Sequence, residues 1–438
     1  MDKFKTFYDK DPKIEKFWDF VELFPFLNRN YIVSLGEGMS PCKRSKKFHE
    51  ILEITNLYFK DEIHNPTNSF KDRTAALLIS HSRNLGYDKV VCASNGNQGA
   101  SIAAYSSLEG MKCVNFVPKN IDIGKKAQMI ANNSEIITEG ETVDDSIQKV
   151  LSKDYIEFYQ CTPELNPLTI EAQKTISLEI FQQIGQIDSI ITPMGSGGLM
   201  VSLWKGFKEL FEIGLIKKIP RIIGVQSQIS SPIVNEINKK IVHNQTNYTT
   251  KSHALGILVK NPFYKELCKE IIKNTNGFAV AISEGVMLTF AEELARIEGI
   301  FAEPASALTI AALSQLREEN KFETNEKIVC IITGSAIKTP YVLEALSNRA
   351  KTAGMGSLLS SKLKILSQIS ISKKKGLYGT KLKEMIGSIS LAAIYQHLKE
   401  LEEKNLIVRR KEGKTVLYTI TDKGKKVLEA LETLITLF

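Results

Sequence analysis

The 438-residue chain predicts an α/β protein of open, mainly parallel sheets covered by helices, followed by a small helix-and-hairpin module. Three observations lead there. Between about residues 50 and 345, short β-branched runs alternate with longer amphipathic stretches, the pattern of strand–helix units joined by right-handed crossovers. The runs themselves are near-continuously apolar, as strands buried on both faces are. Beyond residue 357 the rhythm changes, and the charge changes with it. Residues 351–438 hold 17 Lys+Arg against 8 Asp+Glu, whereas the remainder holds 40 against 41. The formal net charge of +8 therefore belongs to the tail, and two bodies with different partners are expected.

The composition is that of a folded protein, with 43% hydrophobic and 24% charged residues, which excludes wholesale disorder. No run reaches the roughly 18 apolar residues of a membrane span. The start, MDKFKTFYDKDPKIEKF, has no signal-peptide core, so a cytoplasmic location is expected. The 6 cysteines and 6 histidines form no CxxC, HxH or HExxH pattern. Reduced structural thiols and no metal are expected.

In order along the chain, LYFK (57–60), KVVCAS (89–94), CVNFV (113–117), SIITPM (189–194), RIIGVQ (221–226) and IVCIIT (328–333) read as strands. Helices are expected over 71–86, 97–109, 171–185 and 197–213. Residues 346–357, LSNRAKTAGMGS, are small and polar enough for a linker. In the tail, 358–370 reads as a helix, KKKG (373–376) as a solvated loop and GTKLKEMI (379–386) as a second helix ended by Gly387. Residues 390–407 read as a third helix capped by Ser388 or Ser390. VRRK (408–411) and TVLYTI (415–420) form a hairpin, and Thr421 caps a last helix with Val427, Leu428, Leu431, Leu434 and Ile435 on one face.

Ligands of open α/β sheets bind at the carboxyl ends of strands, so the turns there carry the functional information. HNPTNSFKDRTA (64–75) sets Lys71 at the entrance of a helix, after a forced turn. The plain reading is a surface lysine in a first helical turn, an unfavourable place for a cation. The same field lowers an amine's pKa, which suits a lysine that forms Schiff bases. ASNGNQGAS (93–101) brings Ser94, Asn95, Gly96, Asn97 and Gln98 to a helix start where an anion fits. PMGSGGLM (193–200) repeats the arrangement with Gly195, Ser196, Gly197, Gly198 and Leu199. It lacks the spacing of a dinucleotide fingerprint and the GK[ST] of a P-loop, and alone it reads equally as a structural turn.

At these three loops together the sequence resembles the fold-type II pyridoxal-phosphate enzymes and, within them, the threonine synthase family. That family pairs an N-[PT]-x-x-S-F-K-D-R lysine loop with an S-x-G-N substrate loop and a Gly-rich phosphate loop, in this order. SLGEGMSPC (34–42), NPLTIEAQKTISLEI (166–180), EGIFAEPASA (298–307) and TGSAIK (333–338) match further family segments, and the resemblance covers roughly residues 30–345. It implies a two-domain catalytic region over 1–345, with interleaved α/β subdomains at roughly 50–160 and 161–345. It also implies pyridoxal 5'-phosphate as cofactor, held covalently by Lys71. Asn97 would meet the phenolic oxygen, Gly195 to Leu199 the phosphate, and Thr333 the pyridine nitrogen. Ser94, Asn95, Gly96 and Gln98 would hold the substrate. The implied reaction converts O-phosphohomoserine to threonine and phosphate, with the released Lys71 amine moving protons at Cα and Cβ.

Some positions depart from the family. Its members carry an arginine shortly after the NP and an asparagine just before it, where Thr169 and Pro163 stand here. Gln98 replaces a threonine, and Ser335 and Ala336 replace the His and Gly of TGHGLK. A lost guanidinium weakens phosphate recognition by roughly 1.5–3 kcal/mol per charge-assisted bond. Either another cation, Lys174 or Lys338, compensates, or the substrate carries no phosphate. A threonine or serine dehydratase, or a β-replacement enzyme, would share nearly all the cofactor residues.

Residues 358–438 resemble a winged helix-turn-helix domain, with LYTITDKGKKVL (417–428) at its wing-to-helix junction. The resemblance implies duplex DNA as a partner. Ser388, Ser390, Ala393, Tyr395, Gln396 and Lys399 would reach bases, and Arg409, Arg410, Lys411 and Lys414 would reach phosphates. Winged helices also dock and dimerise, and a homodimer is expected. The competing class is a transcriptional regulator that uses the cofactor fold as an amino-acid sensor.

Overall fold

The structure, a computed structural model, describes residues 2–10, 12–151, 153–238, 252–339, 357–372, 376–387, 389–412 and 415–428. In chain order the strands are β1 (Cys42–Arg44), β2 (Asn56–Asp61), β3 (Lys89–Ala93), β4 (Lys112–Val117), β5 (Glu135–Thr138), β6 (Tyr159–Gln160), β7 (Ser189–Pro193), β8 (Arg221–Ser227), β9 (Ala279–Ile282), β10 (Lys327–Ile332), β11 (Ile407–Glu412) and β12 (Thr415–Ile420). Helices that position the site are α1 (Lys71–Asn84), α2 (Asn97–Leu108), α3 (Leu168–Ile184), α4 (Gly198–Glu212), α5 (Glu284–Glu293) and α6 (Pro304–Glu318). The tail contributes α7 (Ser357–Ile371), α8 (Gly379–Ile386) and α9 (Leu391–Glu403).

The larger sheet runs β1-β2-β10-β7-β8-β9 and the smaller β5-β4-β3-β6. Every pairing in them is parallel except β1 with β2. All six expected strands form. The four that sequence reading missed, β1, β5, β6 and β9, are the sheet edges. β1 and β6 are too short and polar to show the apolar run of a central strand, β5 buries neither Ile136 nor Ile137 fully, and β9 is apolar and mostly buried but only four residues long.

One boundary moves. β2 lies beside β10 in the larger sheet, with Leu57 and Phe59 buried. The smaller sheet therefore spans only β3 to β6, and residues 42–61 belong with the second half of the body rather than with a 50–160 unit.

Helices α1 to α4 pack between the sheets in one apolar cluster containing Leu77, Ile102, Ile176 and Leu203. Set into this layer is a buried ionic group. The Arg73 guanidinium donates to Glu62 at 2.8 Å and to Glu179 at 2.7 Å, and Lys60 donates to Glu179 at 2.7 Å. All four side chains are completely buried, and charges so placed persist only when paired.

The tail has its own core of Ile365, Leu366, Ile369, Leu382, Ile394, Leu398 and Leu401. Its third helix is shorter than expected. α9 ends at Glu403 because Asn405 takes a left-handed φ of 57° and turns the chain into β11. β11 and β12 pair antiparallel, and Thr421 Oγ accepts the Gly424 amide at 3.0 Å as a cap. The expected linker up to residue 356, the lysines 373–375, Ser388, Lys414 and the helix face beyond Leu428 lie outside the described residues.

Candidate active site

The loop from β2 to α1 presents Lys71, and its local chemistry explains the NPTNSFKDR pattern. Asp72 accepts the Thr67 amide and hydroxyl, both at 2.6 Å, which folds the loop back on itself. Asn68 supplies a left-handed φ of 61°. The Phe70 amide donates to Thr333 O at 3.0 Å and the Ser335 amide to Asn68 O at 3.1 Å, tying the loop to the end of β10. Arg73, clamped by Glu62 and Glu179, anchors the other side. Lys71 is thus fixed on both flanks. Burial holds its amine below the ordinary lysine value, against the opposing pull of Glu164, Cys92 and Glu303.

Two further loops face it across one cavity lined by Lys71, Ser94, Asn97, Gly195, Gly198 and Thr333, among others. Ser94 Oγ accepts the Gly96 and Gly99 amides at 3.0 and 3.1 Å, and Asn95 donates to Leu255 O at 3.0 Å. Gly96 has φ 139°, and a Cβ there would lie 2.3 Å from Lys125 Cδ. Gln98 Oε1 and Asn97 Oδ1 are buried without a partner. In the third loop, Gly197 caps α4 with φ 93°, and a Cβ would meet Cys268 Sγ at 2.4 Å. The amides that open α4 have no carbonyl one turn back to bond, so they face the cavity end as donors for an anion.

At the end of β10, Thr333 donates to Glu303 at 2.9 Å and shares a 2.8 Å hydrogen bond with Ser306. Glu303 also accepts from Asn97 at 3.0 Å and pairs with Lys125 at 3.5 Å. Sequence reasoning quoted Glu303 within EPASA but gave it no role. Its signal was the helix-starting Pro304 directly after it, which sets the carboxylate at the mouth of α6. Burial acts to raise this carboxyl's pKa, but Lys125 and Lys338 outweigh it and hold the group ionised.

Glu164 was missed as well. It lines the cavity and accepts the Ser196 hydroxyl at 2.6 Å. Pro163 and Thr169 line the same wall, and Thr169 Oγ1 is buried without a partner. Lys174 must be corrected: its ammonium pairs with Glu171 at 2.7 Å and Glu209 at 2.9 Å, and the residue is not on the cavity wall. Glu171 one turn away on α3 and Glu209 on the facing α4 hold it there. Lys338, the other compensating cation named, is likewise off the wall, donating to Thr67 O at 2.7 Å.

These features fit pyridoxal phosphate: a desolvated lysine, a glycine cradle that side chains would fill, and a buried hydroxyl and amide opposite. Residues 33–334 match the family described as pyridoxal-phosphate dependent enzyme. A threonine synthase of Methanocaldococcus jannaschii is 36% identical over 326 residues, covering 74% of this chain and 80% of the relative. The chain belongs to the threonine synthase family of pyridoxal-phosphate-dependent enzymes. Pyridoxal 5'-phosphate is its cofactor. A Methanosarcina acetivorans threonine synthase is 31% identical, over 78% of this chain and 84% of the relative.

Solved structures agree on the fold. Maize serine racemase aligns with a TM-score of 0.59 at 18% identity, over 76% of this chain and 95% of that one. A threonine deaminase isoform from Solanum lycopersicum aligns at 0.58 and 23%, over 74% and 93%.

Residues 369–430 of this threonine-synthase-family chain match the PadR-like transcriptional regulator family. Of the described residues assigned to DNA, Ala393 packs against the tail's own core and Lys411 is exposed on β11, and the other six divide into two groups. Gln396 and Lys399 are exposed on α9, and Arg410 is exposed on β11. Ser390, Tyr395 and Arg409 instead meet the catalytic body. Arg296 donates to Ser390 at 2.9 Å, Tyr395 donates to Glu318, and Arg409 pairs with Glu53 at 3.4 Å. As free DNA contacts these three are corrected, because body carboxylates and Arg296 already occupy them. Among the described residues, no helix is long and apolar enough to cross a membrane.

Proposed function

We propose that the chain is an active lyase of threonine-synthase type, releasing phosphate from O-phosphohomoserine and adding water at Cβ to give threonine. The observation that carries the reading is the convergence of the desolvated Lys71 amine, the Ser94–Gln98 loop and the Gly195–Leu199 cradle on one cavity. When bound, the cofactor supplies the electron sink that makes a Cα proton removable. The Gly195–Leu199 amides would hold its phosphate, Asn97 its phenolic oxygen and Thr333 its ring nitrogen. The one hydroxyl hydrogen of Thr333 is donated to Glu303 at 2.9 Å here, so serving the ring nitrogen as a neutral donor requires the hydroxyl to turn from that carboxylate. The Ser94–Gln98 loop binds and orients the substrate carboxylate. Lys71, whose burial lowers its amine's pKa, takes the proton from Cα and delivers it along the substrate. The loop hydrogen bonds around Phe70 and Ser335 hold the Lys71 loop against the end of β10.

One observation favours a second reading, a threonine or serine dehydratase. Among the described residues, the charged side chains on the cavity wall are Lys71, Glu164 and Glu303. With Lys71 engaged, no wall cation remains for a substrate phosphate, and Glu164 would repel one. The deciding experiment offers O-phosphohomoserine, threonine and serine separately to the yellow holoprotein and to Lys71→Ala. Phosphate release with threonine formation supports the synthase, and ammonia with a 2-oxoacid supports the dehydratase. Wild-type protein that is colourless with added cofactor overturns both. For Lys71→Ala, loss of the absorbance band and a rate about 10²–10⁴-fold lower are expected.

The tail is proposed to bind duplex DNA through the exposed Gln396, Lys399 and Arg410 together with Ser390, Tyr395 and Arg409 once these are released. The PadR-like match and the basic charge support this reading.

A further inference from the structure

One edge of α9 and the strand β11 rest on the catalytic body. Leu391, 2% exposed, joins a hydrophobic cluster with Phe290, Leu313 and Leu316 of the body. Polar contacts surround it. Thr380 Oγ1 donates to Glu318 at 2.6 Å, and the Tyr395 hydroxyl donates to the same carboxylate. Arg296, paired with the buried Glu293 at 2.7 Å, donates to Ser390, the N-cap of α9. On β11, Arg409 reaches Glu53.

The body thus presents the carboxylates of Glu53, Glu293 and Glu318. The tail answers with the Ser390 and Tyr395 hydroxyls on its third helix, the Arg409 guanidinium on its wing, and the Thr380 hydroxyl and amide at the start of its second helix. The third helix and the wing are the two places where a winged helix-turn-helix meets a duplex. A phosphate backbone offers the same chemistry, anionic oxygens at close spacing, to the same kinds of donor. Gln396 and Lys399 remain exposed beside the docked edge, so an approaching duplex can still be engaged there, but the helix N-terminus and Arg409 cannot serve two partners at once.

We propose that the catalytic body and duplex DNA are alternative partners for one face of the winged domain, with Glu318 at the centre of the body's hold. The docked chain is then the DNA-released state. The proposal rests on the reading of the tail as a DNA-binding module, and its test separates the two. A labelled mixed-sequence duplex is titrated with full-length holoprotein at low salt and followed by fluorescence anisotropy, for wild type, Glu318→Ala and Glu318→Ala with Glu53→Ala. Tighter binding by about tenfold in the variants is expected, with the cofactor absorbance unchanged because neither residue touches the site. Hydrogen exchange on wild type gives a second readout: adding duplex should expose the amides at 290–296 and 315–319. Equal affinities with no exchange response overturn the competition and leave DNA binding standing. No binding by any of the three proteins overturns both, and leaves the enzyme reading untouched.

Discussion

Two residues beyond Lys71, the Arg73 guanidinium lies between Glu62 and Glu179 with no exposure to solvent. Removing it leaves two buried carboxylates with only Lys60 to compensate, a loss of about 3–5 kcal/mol. Arg73→Met is therefore expected to lower the urea midpoint sharply and to weaken cofactor binding, because α1 begins at Lys71. A midpoint equal to wild type would refute the anchoring role. Lys338 gives a pH prediction. Burial lowers its pKa to about 8 from an ordinary 10.5. The folded value lies below the unfolded one, so its contribution to stability is present above about pH 10.5 and is lost as the pH falls through about 8. The stability difference between wild type and Lys338→Met should change across that window, and a flat difference would refute it.

At the scale of elements, the Gly195–Leu199 turn shows what a Gly-rich loop needs from its surroundings. Gly197 combines a φ of 93° with a Cβ direction blocked by Cys268 and Tyr264. Gly197→Ala is expected to weaken pyridoxal phosphate affinity by about tenfold or more, through strain exceeding roughly 1 kcal/mol, as read by absorbance titration. Unchanged affinity would mean that the loop does not hold the cofactor. Central strands and site helices were legible in the sequence because burial on both faces writes a continuous apolar run. The edges β1, β5, β6 and β9 were not: β1 and β5 are only partly buried, β6 has two residues, and β9, though apolar and mostly buried, has only four. The three loops were legible as motifs, whereas Glu164 was not, because a lone glutamate in a turn carries no spacing signal.

At the scale of the whole molecule, α6 runs from Ser306, bonded to Thr333 at the cavity, to Glu318, bonded to the tail. Ser306 and Glu318 lie twelve residues apart on this helix, about 18 Å at 1.5 Å per residue. Burial raises the Glu318 carboxyl to about 7 from 4.5, aided by Glu319 and opposed by the donors Thr380 and Tyr395. Nearby, Glu53 and Tyr418 bear on Tyr395, and Arg409 pairs with Glu53. A carboxyl held above its ordinary value in the docked chain makes a contribution to stability that is complete below about pH 4.5 and is lost as the pH rises through about 7. Hydrogen exchange of α9 should therefore be slower at about pH 6 than at about pH 8 after correction for intrinsic rates. Equal protection would refute the assignment. For DNA, Lys399→Ala should reduce the salt slope by about 0.9 if that side chain neutralises one phosphate.

The sequence by itself determined the alternation of strand and helix, the cofactor loops in their order, and the concentration of positive charge in the tail. These are local patterns, set by which residues sit at strand ends and helix starts. Only the tertiary structure decided that β2 belongs to the larger sheet, that Lys174 is spent on Glu171 and Glu209, and that Tyr395 is held by Glu318. Each of those depends on which distant carboxylate or strand lies within a few ångströms, and such pairings arise from packing between segments far apart in the chain.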